Sequence, residues 1–178
     1  MAGIARREGV GTYLSAGQDE TIALGRALGR VLRAGDVLVL TGDLGAGKTQ
    51  LTKGVAAGLG VADDVTSPTF TIEMVYQGTE LPLYHFDLYR LEDAGQLEDV
   101  GLYDVLGTDG PCLIEWGEQF SDEIGAERVD VFLSRLGGEV PAGEEPPRRI
   151  EFVAHDARGQ ELVAALDAAA EAVAAVDA

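Results

Sequence analysis

Val37-Leu38-Val39-Leu40-Thr41-Gly42-Asp43-Leu44-Gly45-Ala46-Gly47-Lys48-Thr49 organises the reading of this chain. Val37–Leu40 is a continuous apolar run, the pattern of a strand buried on both faces. Gly42–Thr49 matches G-x-x-x-x-G-K-[ST]. Lys48–Leu59 then reads as a helix ending near Gly60. Strand, Gly-rich turn and helix follow in the order a phosphate-binding loop requires. Glycines let the backbone wrap closely around an anion without a Cβ clash. The loop N–H groups and the helix N-terminus then face that anion. Gly42, Asp43, Leu44, Gly45, Ala46, Gly47, Lys48 and Thr49 are therefore the expected nucleotide-binding segment. Lys48 would neutralise the β- and γ-phosphates, and the Thr49 hydroxyl would coordinate Mg²⁺.

Outward from this unit, the spacing of Ile22, Leu24, Leu28, Val31 and Leu32 predicts a helix over Asp19–Arg33, stopped by Gly35. Residues 1–18 are Gly-rich and poorly patterned. Beyond the loop, Thr71–Tyr76 and Leu83–Tyr89 read as two strands of an antiparallel hairpin, turning around Gln77–Gly78. Leu91–Val100 reads as a weak, acidic helix. Cys112–Trp116, Val129–Leu136 and Ile150–Ala154 read as strands, and Gly159–Ala178 as an Ala-rich helix. The Gly-, Pro- and Glu-rich stretch 137–147 reads as a loop. The expected fold is α/β: a P-loop NTPase-like mixed sheet with flanking helices, and one domain over residues 1–178.

A phosphate loop needs a carboxylate at the end of another strand to hold its metal. Glu115, closing Cys112-Leu113-Ile114, is the first candidate. Asp87, within His85-Phe86-Asp87-Leu88-Tyr89-Arg90, is the second; it is either poised in a site or faces water. Thr66-Ser67-Pro68-Thr69-Phe70 is either a loop that senses the γ-phosphate or a plain connection. Pro68 keeps it out of helix. Trp116 either packs beside the nucleotide or caps the core. His85 and His155 stand too far from other ligand types to mark a metal cluster or a triad. Cys112 reads as a buried small residue. The chain contains no Asn, so the Asn-Lys-x-Asp reader of guanine is impossible and ATP is favoured over GTP.

The 178 residues carry a net charge of −18, unevenly spread. Residues 1–60 balance at +2 and residues 61–178 at −20. Such a surface repels phosphate backbones and argues against direct binding to DNA or tRNA. Val37–Leu40 falls far short of the ~20 apolar residues that cross a bilayer. No apolar stretch follows Arg6 and Arg7, so the start does not read as a secretory leader. A cytoplasmic location is expected.

Gly42–Thr49, Ser67-Pro68-Thr69-Phe70, His85-Phe86-Asp87-Leu88-Tyr89-Arg90 and Ile114-Glu115-Trp116-Gly117-Glu118 together resemble the TsaE (YjeE-type) ATPase family of tRNA threonylcarbamoyladenosine biosynthesis. The likeness covers roughly Asp19 to Phe120. It implies ATP and Mg²⁺ as cofactors, with Lys48 and Thr49 on phosphate and metal. It implies that Asp87 and Glu115 are metal-site or catalytic carboxylates, that Thr69 is switch-like, and that Trp116 lies beside the site. It also implies TsaD and TsaB as partners, through which tRNA is met only indirectly. Residues 137–147 match no family feature. A small P-loop kinase and a non-catalytic ATP-dependent switch are the rival readings. The six arginines beyond Lys53 are scattered, with only Arg148–Arg149 adjacent, which leaves the kinase without an evident lid.

Overall fold

The computed structural model describes residues 3–178, in which eight strands form one mixed sheet in the order β1-β2-β8-β7-β3-β6-β5-β4. At its centre lies β3 (Val37–Thr41), flanked by β6 (Cys112–Glu115) and β7 (Val129–Arg135), both parallel to it. β5 (Pro82–Asp87) runs parallel to β6 on the far side. All four strands therefore end at one edge, where α/β sheets take their ligands. β4 (Glu73–Gln77) pairs antiparallel with β5 as the expected hairpin. β8 (Arg148–Ala154) returns antiparallel beside β7, after the irregular 137–147 connection.

The unbroken apolar run of β3 serves two cores. Leu38 and Leu40 face the first helical layer, formed by α1 (Gln18–Val31), α2 (Lys48–Gly58) and α6 (Ala157–Val176), with Leu24, Leu28, Leu51, Val55 and Leu166 buried there. Val37 and Val39 face the other layer, among Phe86, Leu88, Leu97, Leu102, Ile114 and Phe120. That second layer is built from the one-turn helices α3 (Gln96–Asp99) and α4 (Leu102–Val105), a 3₁₀ turn at Glu118–Phe120 and α5 (Ser121–Ile124). The weak helix expected over Leu91–Val100 is thus broken into short turns. Gly101, at φ 79, starts α4 in a left-handed conformation that a continuous helix does not accept.

Residues 3–18 also differ from expectation. β1 (Arg6–Gly9) and β2 (Thr12–Ser15) form a hairpin that adds to β8. Its anchor is remote in sequence. Asp167 of α6 accepts the Gly11 N–H at 3.1 and 3.2 Å and the Tyr13 hydroxyl. Burial, with that carboxylate beside it, pushes the Tyr13 phenol well above its ordinary range.

α1 and α2 approach through glycine. A Cβ on Gly25 would lie 2.3 Å from the Leu51 carbonyl oxygen and 2.9 Å from Gly54 Cα. A Cβ on Gly54 would lie 2.1 Å from the Ile22 carbonyl oxygen. Gly29 and Gly58 repeat the arrangement one turn on. The pair seats α2, and so the phosphate loop at its head, on the sheet. Gly54→Ala is expected to force the helices apart and cost about 1–3 kcal/mol in urea unfolding. Burial also pushes the Cys112 thiol up to about 12. Cys112 is therefore expected to react with thiol reagents only as fast as the protein unfolds.

Candidate functional site

The loop after β3 is held by contacts that only glycine permits. A Cβ on Gly42 would meet the Leu133 carbonyl oxygen at 2.5 Å. Gly47, at φ 108, starts α2 in the left-handed region. Lys48 is 7% exposed and folds back over its own loop. Its Nζ donates to the Gly42 carbonyl at 2.6 Å and lies 4.0 Å above the centre of the Trp116 ring. Thr49, next on α2, is half-buried. Asp43, Leu44 and Gly45 stand exposed, while Ala46 and Gly47 are buried.

Asp87 and Glu115 end β5 and β6 as register partners. They are 5% and 2% exposed, which places two carboxylates side by side in a nearly dry setting. Asp87 is buried and does not face water. The Ser67 hydroxyl is shared between them, 3.2 Å from Asp87 Oδ2 and 3.3 Å from Glu115 Oε2. Thr69 stands one step back, its hydroxyl 3.2 Å from that of Ser67. Asp87 is further fixed by the Tyr89 N–H, 3.0 Å from its Oδ1.

The remaining motif residues lock the loops together. Trp116 adopts φ 58, a strained conformation for a bulky residue. Its ring thereby reaches both Lys48 and Tyr89, the latter at 5.1 Å between centroids. The ring bridges the phosphate loop and the segment after β5. Arg90 lies over the Phe70 ring at 4.5 Å, tying the 66–70 loop to the end of β5.

His85 was expected to be isolated, and in the chain it is. In the fold it is fully buried, with Nε2 3.4 Å from Glu115 Oε2 and no hydrogen-bond partner on either ring nitrogen. The signal for it was the two-residue step to Asp87, which puts both side chains on one face of a strand. His155, just past β8, does have a partner: its Nε2 lies 2.5 Å from Oδ2 of Asp130 on β7, away from these loops.

The donor set suits a hard cation bound with phosphate. Among the described residues no three His, Cys, Asp or Glu side chains gather as a self-sufficient metal site. Mg²⁺ does not ask for one. It takes one or two carboxylates and completes its shell with water and phosphate oxygens. Thr49, Ser67, Asp87 and Glu115 supply such oxygens beside a loop shaped for phosphate.

The family model "Threonylcarbamoyl adenosine biosynthesis protein TsaE" matches residues 15–139. The tRNA threonylcarbamoyladenosine biosynthesis protein TsaE of Bacillus subtilis is 45% identical over 119 residues, covering 67% of this chain and 74% of the relative. That of Treponema pallidum is 42% identical, covering 69% and 90%. The crystal structure of Bacillus subtilis YdiB superposes with a TM-score of 0.73 at 35% identity, covering 88% of this chain and 93% of that one.

Two buried carboxylates in register repel each other. Asp87→Asn keeps an acceptor for the Tyr89 N–H and removes one charge. Without ligand, the variant is expected to unfold at higher urea than the parent protein, by roughly 0.5–2 kcal/mol.

Proposed function

Because this chain belongs to the TsaE family of threonylcarbamoyl adenosine biosynthesis proteins, we propose that it binds ATP with Mg²⁺ and hydrolyses it in support of that tRNA modification. The observation that carries the reading is the Ser67 hydroxyl shared between Asp87 and Glu115, at the strand ends beside the Lys48 loop. Glycine-rich backbone, a lysine, a hydroxyl at the helix start and paired carboxylates are the parts that phosphoryl transfer needs in one place.

In this reading the N–H groups of Gly42–Thr49 cradle the phosphates. Lys48 exchanges the Gly42 carbonyl for phosphate oxygens. Thr49 and Glu115 hold the metal, and Asp87 either joins them or orients the attacking water. Bound Mg²⁺ would supply positive charge against the negative charge on the β- and γ-oxygens. Thr69, linked to the carboxylates through Ser67, is the residue that responds to a γ-phosphate in this reading. Trp116 lies along the nucleotide.

The exposed side chains at the mouth favour a partnered enzyme. Leu44, Phe70 and Tyr89 are 89%, 81% and 64% exposed and surround the loop and its neighbours. A docking protein would cover this apolar rim and order the 66–70 segment, so hydrolysis is slow alone and faster in complex. TsaD and TsaB are the proposed partners, and tRNA is met through them. The charge of −18 fits a subunit that does not itself grip nucleic acid. No helix among the described residues is long and apolar enough to cross a membrane.

The test is steady-state ATP hydrolysis by the whole chain, alone and with purified TsaB and TsaD. Lys48→Ala is expected to lower the rate at least about 100-fold, as loss of a preorganised charge contact does. Partners are expected to raise the Lys48-dependent rate. A rate indifferent to Lys48 would refute the ATPase reading. Full support of the modification by a non-hydrolysable analogue would favour a switch driven by binding alone.

A further inference from the structure

His85 lies on β5 two residues before Asp87, so both side chains share one face of the sheet. Its register neighbours on that face are Met74 of β4 and Leu113 of β6, and neither offers a hydrogen-bond partner of ordinary strength. The imidazole is fully buried, and neither ring nitrogen completes a hydrogen bond. A polar group left unpaired in such a place costs stability. Packing alone would be served better by an apolar side chain.

The polar atom that His85 faces belongs to the site. Nε2 lies 3.4 Å from Glu115 Oε2, longer than a formed hydrogen bond by a few tenths of an ångström. The same oxygen takes the Ser67 hydroxyl at 3.3 Å. Both contacts fall on Oε2, and Oε1 is left for a metal. The two donors differ in their setting. Ser67 is exposed on the 66–70 loop, and His85 is fixed in the sheet. A hydroxyl that moves with its loop holds the carboxylate only part of the time, whereas a core imidazole holds it throughout. An imidazole carries at least one N–H, and the groups around the ring decide which nitrogen bears it. A carboxylate oxygen opposite Nε2 puts the proton there.

We propose that His85 is a positioning residue for the metal: its Nε2–H holds Oε2 of Glu115, so that Oε1 is presented to Mg²⁺ in one orientation. The inference rests on the ATP and Mg²⁺ reading above. Mg²⁺ demands near-ideal geometry, so a ligand that rotates freely serves it poorly. Hydrogen-bonding partners behind metal ligands are worth about 10–100-fold in metal affinity.

Binding without turnover tests this. The whole protein is titrated calorimetrically with a non-hydrolysable ATP analogue, in EDTA and in excess Mg²⁺, with urea unfolding of the nucleotide-free protein alongside. The ratio of the two affinities is the gain due to the metal. His85→Leu is expected to lower that gain by about tenfold or more. Its affinity in EDTA is expected to match the parent, and its urea midpoint to be equal or higher. His85→Gln places an amide N–H near the Nε2 position and is expected to recover most of the gain. His85→Asn is polar but too short to reach Oε2, and is expected to behave as His85→Leu. It is the measured variant if His85→Leu does not fold. A parent-like gain from Mg²⁺ in folded His85→Leu or His85→Asn would overturn the proposal. So would a loss of the same size in EDTA, which marks a general loosening of the site, or a His85→Gln variant no better than His85→Leu. If the parent protein gained no affinity from Mg²⁺, the metal reading itself would fail, and that outcome shows in the parent before any variant is compared.

Discussion

The carboxyl edge of the sheet depends on a parallel register that sets Leu40 beside Glu115 and Glu115 beside Asp87. A shift of one residue in either pairing would turn a carboxylate toward the opposite core and bring an apolar side chain to the loop. The register is held by burial on both faces of β3, β5 and β6. The glycine contact between α1 and α2 in turn seats the loop on that frame. The phosphate loop lies between these restraints, so packing beneath it sets its shape.

On this frame the molecule carries several features that oppose its own stability. Asp87 and Glu115 sit together with little water. Trp116 is held at φ 58. His85 and Arg148 bury polar nitrogens without partners. All are gathered around one loop, while the hairpin, α6 and the far pole of the sheet satisfy their charges in pairs such as Arg158 with Asp36. Raising of the Arg158 pKa by that pair is the ordinary effect of a well-made contact. Local frustration concentrated at one edge marks that edge as the candidate functional site.

Where the governing interactions are local, the sequence was a good guide. The β3–loop–α2 unit was legible because every part of its chemistry lies within thirteen consecutive residues. The β4–β5 hairpin was legible for the same reason. Glu115 could be named from its place at a strand end. Asp87 could not be separated from a surface acid, because its burial depends on β6 lying alongside. His85 looked isolated because its neighbour Glu115 is thirty residues away in the chain. The N-terminal hairpin was hidden because its anchor is Asp167 on the last helix. Arg148 stands out in sequence only as half of the Arg148–Arg149 pair, and the β7–β8 pairing is what brings it to Gly47.

The central claim is that Lys48, Trp116 and the two carboxylates form one nucleotide site. Trp116 is the only tryptophan and lies 4.0 Å beneath the Lys48 ammonium, so its fluorescence reports directly on that lysine. Titration with Mg·ATP is predicted to change the Trp116 emission saturably, as Lys48 moves from the ring to phosphate. In Lys48→Ala the response is predicted to vanish over the same concentrations. Saturable ATP binding by the parent protein with unchanged Trp116 emission, or an equal response in Lys48→Ala, would contradict the account.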